Sequence, residues 1–271
     1  MTLAITFDTN VAIRIVNHIL RRSLEEDRLF LELGRRITQR KLSPFVTEAS
    51  LSFEVLPAEG RVLGVLSSFA LLPEHRDLPR AEIDPAAAER IDRYVDVGFR
   101  VLHAPRIGLR TFMKIPALSW APDERFNIDE RMERYNTLVD RFAHMGPARL
   151  KELGAKSVRF HSLDTSLAQS LPGFPVPEQQ MWADGLVAEV LKPTLFQSKR
   201  EALGVIRKLF SDWFDLDSVA SHYAYGLDFF CTEDKGRGKG KFEIFHLDNR
   251  VLIRREFGVE IISPNELLAR L

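Results

Sequence analysis

The sequence predicts an α/β fold built on a parallel sheet, and three observations predict it. Leu3 to Phe7 is a short apolar run that ends at Asp8, the pattern of a strand buried on both faces. Leu227 to Thr232 repeats that grammar and passes into Glu233 and Asp234. Between and around these runs, strand-like and helix-like patterns alternate at the spacing of βαβ units.

The elements follow in order. After the first strand, Val11 to about Leu20 reads as a helix with Val11, Ile15 and Ile19 on one face. Asp27 to Gln39 is helical, with Leu29, Leu33 and Ile37 in register and a basic end at Arg35, Arg36, Arg40 and Lys41 that suits the helix dipole. Leu42 to Val46 is a short extended segment, Thr47 an N-cap, and Glu48 to Leu56 a helix stopped by Pro57. From Pro57 to Pro193 the prolines crowd and the pattern weakens. Helical stretches stand out at Pro85 to Val97, Asp123 to Met145 and Pro147 to Leu153. Ser198 to Phe214 is a strongly amphipathic helix, and Leu216 to Tyr225 reads as a second one closed by Gly226. Val251 to Phe257 is helical or extended, Val259 to Ile262 is a last strand, and Ser263-Pro264-Asn265-Glu266 is a capping box.

Composition narrows the function classes. The chain has 271 residues, of which 45% are hydrophobic, enough for one large domain or two small ones with a sizeable core. Formal net charge is +0 from 38 basic and 38 acidic residues, so a polyanionic partner has to be met by a local patch. Cys231 is the only cysteine, which excludes a disulfide framework and a cysteine-based zinc site. The N-terminus has no basic n-region, and no apolar stretch approaches the ~20 residues that span a bilayer. A soluble cytoplasmic protein with no membrane partner is the expectation.

Chemistry concentrates where the strand-like runs end. In open α/β sheets ligands sit beyond the carboxyl ends of the strands, and Phe7-Asp8-Thr9-Asn10 places a carboxylate, a hydroxyl and an amide there. Oxygen ligands suit a hard cation; Asp8 could equally cap the next helix. Thr232 and Asp234 occupy the corresponding position on the second run. Two parallel strands ending this way bring two carboxylates to one sheet edge, where they repel unless protonated or metal-bound. Directly afterwards, Lys235-Gly236-Arg237-Gly238-Lys239-Gly240-Lys241 puts four cations in seven residues, either a phosphate-contacting loop or a solvated one. It lacks the Walker spacing. Trp182, Trp213, Tyr223 and Tyr225 are better suited to core packing than to base stacking. His222 reads as a core histidine rather than a ligand, and Asp228, at the opposite end of its strand, as structural.

These residues resemble the PIN-domain family, metal-dependent nucleases that include the toxins of toxin–antitoxin pairs. Ile5 to Val11 is similar to the family's first strand and first acid. Leu51-Ser52-Phe53-Glu54 resembles its second acid on a helix, and Asp215 to Gly226 the helix opened by its third. Asp228 to Asp234 resembles the strand and fourth acid, and Gly258 to Pro264 the closing strand and turn. The resemblance covers residues 1–57 and 196–271, implying a discontinuous core of three-layer α/β/α form. Residues 58–195 are then a largely helical insertion of unknown role. It implies Asp8, Glu54, Asp215 and Asp234 as catalytic acids. Asp8, Asp215 and Asp234 would ligate Mg²⁺ or Mn²⁺, with Thr9, Asn10, Asp217 and Thr232 close by, and Asp217 in reserve as third acid. Lys235, Arg237, Lys239 and Lys241 would meet an RNA substrate. A protein antitoxin and a homodimer are further partners the family admits. The rival within that family is an inactive RNA-binding or protein-interaction module. An aspartyl phosphatase is disfavoured, because its second acid would stand where Asn10 does.

Overall fold

The computed structural model describes residues 2–20, 27–55, 85–102, 126–145, 199–236 and 243–271. Its centre is a five-stranded, all-parallel sheet of β1 (Leu3–Phe7), β2 (Leu42–Thr47), β3 (Arg100–Leu102), β4 (Phe229–Cys231) and β5 (Ile261–Ile262), in the order β3-β2-β1-β4-β5. β1 is therefore central, with Ile5 opposite Pro44 of β2 on one side and Phe229 of β4 on the other. That position explains its composition, since a strand paired on both edges and covered on both faces has no polar side to present.

The helices are α1 (Thr9–Ile19), α2 (Arg28–Thr38), α3 (Glu48–Val55), α4 (Pro85–Asp96), α5 (Ile128–Arg141), α6 (Lys199–Tyr225), α7 (Leu247–Phe257) and α8 (Pro264–Ala269). They cover two faces of the sheet. Ile5 and Phe7 point into a cluster with Val11 and Ile15 of α1, Phe30 and Leu33 of α2, Ile91 of α4 and Leu267 of α8. Phe7 is fully buried there, which contributes about 1.5–3 kcal/mol. Thr6, between them, points the other way and meets His222 of α6 at 2.8 Å between its Oγ1 and the ring Nδ1. On that face Phe230 packs with Leu216 and Val219 of α6, Tyr135 and Leu138 of α5, and Ile253 of α7. His222 is 1% exposed, a core histidine as its pattern suggests.

Local chemistry sets the boundaries. Asp27 caps α2 through Leu29 N at 3.1 Å, and Thr47 Oγ1 accepts from Ser50 N at 3.2 Å. Asn127 and Ser263 each form a reciprocal capping box with a glutamate, Glu130 and Glu266. Gly226 (φ 62°) ends α6 where a Cβ would lie 2.6 Å from Phe126, so only glycine fits both the conformation and the space. The end of α2 is different. Lys41 N donates to Arg36 O at 2.9 Å and Arg40 N to Ile37 O at 2.8 Å, the two bonds of a Schellman motif. Its left-handed position is held by Arg40 (φ 56°), the one non-glycine residue with positive φ among those described. Glycine is usual there, and a side chain costs about 1 kcal/mol.

One expectation is overturned, one open alternative is settled and one strand is added. Ser198 to Phe214 and Leu216 to Tyr225 form one continuous 27-residue helix, α6. Asp215, expected to open a helix, and Asp217 are consequently both interior to one. No Pro or Gly separates the two stretches, so their amphipathic stripes simply run on. Val251 to Phe257 is helical, inside α7. β3 has no counterpart in the sequence reading. It is three residues long, and Val101 and Leu102 are buried by pairing with Val46 and Thr47 rather than by any local periodicity. The stretch Pro147 to Leu153 lies outside the described residues. Among the described residues, no helix is long and apolar enough to cross a membrane.

Candidate functional site

Asp8 stands where β1 ends and α1 begins. Its N–H donates to Cys231 O at 2.9 Å, extending the β1–β4 ladder by one bond, while its carbonyl accepts from Val11 N and Ala12 N at 3.0 and 2.9 Å. Its side chain is fixed from two directions. Oδ1 accepts from Thr9 N at 2.8 Å, so Asp8 is the N-cap of α1, and Oδ2 accepts from Thr232 Oγ1 at 2.7 Å. The capping and site readings of Asp8 are compatible, because each oxygen keeps lone-pair capacity beyond the one bond it accepts.

Thr232 connects the two acids. It follows β4, its N–H donates to Ile262 O at 3.0 Å, and it is 1% exposed. Its hydroxyl donates to Asp8 and accepts from Asp234 N at 3.0 Å. Asp234 is exposed, and its Oδ1 accepts from Gly236 N at 2.7 Å. Arg250 of α7 donates to the Asp234 carbonyl and, at 2.8 Å, to Phe245 O. Two carboxylates thus stand at the ends of adjacent parallel strands with one buried hydroxyl bonded to both residues.

The electrostatics follow from that geometry. Burial pushes the Asp8 carboxyl above its ordinary range, and the negative charge of Asp234 pushes the same way. Hydrogen bonds from Thr232, Thr9 N and the Asn10 side chain oppose the shift by favouring the charged form. Asn10 is thus within hydrogen-bonding reach of Asp8. Burial, reinforced by Asp8, also pushes the Cys231 thiol up, which makes it an inert core residue rather than a nucleophile.

Other sequence-selected residues fall into place around this edge. Ser218 of α6 meets Thr47 Oγ1 at 2.7 Å and Ser50 Oγ at 2.9 Å, so this part of α6 lies beside the carboxyl end of β2. Asp215 precedes Ser218 by three residues and His222 by seven, on the same helix stripe. It is half-buried. Asp217 is fully buried and lies roughly 200° around the helix from Asp215. Glu48, which the sequence offers only as the start of a helix, is the first residue of α3 and is fully buried directly after β2. The signal for it was its place one residue past a strand end, the same place Asp8 holds after β1. Lys235 is exposed beside Asp234, while Glu233 turns to Arg14 at 2.8 Å, away from the acids. Asp228 accepts from Ala4 N at 2.7 Å at the opposite edge, a structural bond. Tyr223 and Tyr225 pack against the core. The Glu54 and Trp213 side chains, and Trp182, Arg237, Lys239 and Lys241, lie outside the described residues. Among the described residues, no group of three or more His, Cys, Asp or Glu side chains is arranged to hold a metal ion.

No family model, no curated protein and no solved structure matches this chain. The class the geometry defines is therefore an α/β protein with a five-stranded parallel sheet and an acidic carboxyl edge.

Proposed function

We propose that this chain is a divalent-metal-dependent endoribonuclease with a PIN-like core, working at the carboxyl edge of the sheet. The observation that carries the reading is the Asp8–Thr232–Asp234 unit, two repelling acids at adjacent strand ends, with one hydroxyl donating to the Asp8 carboxylate and accepting from the Asp234 backbone N–H. A hard cation relieves that repulsion, and the donors are all oxygen, which suits Mg²⁺ or Mn²⁺. Asp8 and Asp234 would hold the ion, with Asp215 supplying a third carboxylate from α6. Such an ion lowers the pKa of a bound water and stabilises a leaving 3′ oxygen of a phosphodiester. The chain's own groups do the rest. Thr232 and Thr9 N aim Asp8 and favour its charged form against the burial that opposes it, Asn10 adds to that, and Lys235 stands next to Asp234 for an incoming phosphate.

The rival reading is a catalytically inactive RNA-binding module, which needs a cationic surface but no metal-holding carboxylates. One experiment separates the two. Purified protein is incubated with labelled total RNA and Mn²⁺, alongside Asp8→Asn and a chelator control. The nuclease reading expects cleavage that Asp8→Asn cuts by more than about a hundredfold and that the chelator abolishes. RNA binding without cleavage under Mn²⁺ establishes the binding module, and cleavage that persists in chelator sinks the metal mechanism.

A further inference from the structure

The opposite edge of the sheet holds a cavity of about 670 Å³. It is formed where β1, β2 and β3 begin, with its walls completed by the ends of α2, α4 and α6. Ala4 lines it and Asp8 does not, and four residues of strand separate the two by roughly 13 Å. Its walls carry the guanidinium residues Arg40, Arg100 and Arg131 and the rings of Phe45, Phe126 and Tyr225. Asp96 is the one acid among the described lining residues.

From this we infer that the cavity is a binding site for a nucleoside phosphate, separate from the acidic edge. The volume is that of a small-molecule site, which typically runs to about 300–1,000 Å³. Three arginines against one aspartate leave a net positive wall, and guanidinium forks match phosphate oxygens better than any other side chain. Two of the three are held in place. The Arg100 guanidinium lies 4.3 Å over the Phe45 ring and donates to Ser43 Oγ, and Arg131 lies 4.8 Å over Tyr225. Stacking on a ring engages the flat face of a guanidinium and fixes its plane, so less is lost on ordering when an anion binds. Phe126 and Tyr225 are half-buried on this wall, each with a guanidinium over one face, Arg134 and Arg131, and present what remains of the ring to a planar base, while Phe45, 3% exposed, serves Arg100 alone.

Arg40 adds an independent argument. It occupies the left-handed position at the end of α2 where glycine costs less, and it is exposed. A strained conformation kept for a cationic side chain on a cavity wall points to use of that side chain rather than to folding.

The test titrates the full chain with AMP and with GMP by calorimetry, with adenosine and inorganic phosphate as half-ligands. A 5′-phosphorylated oligonucleotide distinguishes a strand terminus from a free nucleotide as the source of the phosphate. At least one nucleotide is expected to bind, with each half-ligand weaker by about tenfold or more. Arg131→Gln and Arg40→Gly each weaken it by about tenfold, and Asp8→Asn leaves it unchanged, whatever the fate of the nuclease proposal. Ligand-free Arg40→Gly melts no lower than the parent, so its loss of binding is not a loss of fold. Absence of nucleotide binding at millimolar concentration overturns the assignment. So does an affinity indifferent to both arginine variants, inorganic phosphate binding as tightly as the nucleotide, or a loss of binding in Asp8→Asn.

Discussion

Thr232 makes one hydroxyl serve two acids, donating to Asp8 Oδ2 and accepting from Asp234 N. Valine has the same shape and neither bond. Thr232→Val is expected to lower stability by about 1–3 kcal/mol, the cost of leaving a charged acceptor without its buried donor. It should also reduce metal-dependent cleavage by about 10–100-fold, as loss of a ligand's supporting bond does. Chemical denaturation gives the first number and initial rates under Mn²⁺ the second. Wild-type cleavage by Thr232→Val would show that Asp8 needs no orienting. At this scale the sequence was informative. Asp8, Thr232 and Asp234 could be chosen because an acid just past an apolar run has few other places to be. Glu48 was set aside for Glu54 because the resemblance puts the second acid mid-helix after Leu51, whereas Glu48 is the first residue of α3.

The turn after β4 is the element on which the site depends most. Gly236 has φ 55°, and a Cβ there would lie 2.5 Å from the backbone of Phe245 and His246. Its N–H also holds Asp234 Oδ1. Gly236→Ala therefore cannot be accommodated without moving either the segment before α7 or the loop bearing Asp234. The expected cost is about 1–3 kcal/mol, with cleavage falling further than the melting temperature alone predicts. A variant that melts normally and cleaves normally would show that the two backbones do not approach as described. Element boundaries were legible at the caps Asp27, Gly226 and Ser263, but not at Asn127 or His246, whose caps start α5 and α7 at Ile128 and Leu247. They were not legible between Phe214 and Leu216, where nothing breaks α6.

For the whole molecule, a bound ion is a folding ligand. If the acidic edge takes Mn²⁺, the ion stabilises the native state by about 2.7 kcal/mol at one hundred times its dissociation constant. Thermal unfolding in Mn²⁺ should shift upward, return to baseline in chelator, and show no shift in Asp8→Asn. An unchanged melting temperature across millimolar Mn²⁺ counts against the site irrespective of any assay for cleavage. The nucleoside phosphate inferred at the opposite edge would raise the melting temperature too, but by a route that Asp8→Asn leaves untouched.

By itself the sequence determined the α/β class, the buried strand β1 and the position of Asp8 and Asp234 past strand ends, because each is written locally: an apolar run of strand length, and a polar residue where the run stops. The tertiary structure alone decided the strand order, the three-residue β3 and the meeting of Asp8 with Thr232. It also decided that three arginines from the end of α2, the start of β3 and the body of α5 share one cavity. Those are contacts between residues far apart in the chain. Periodicity reports which face of an element is buried, and only packing reports against what.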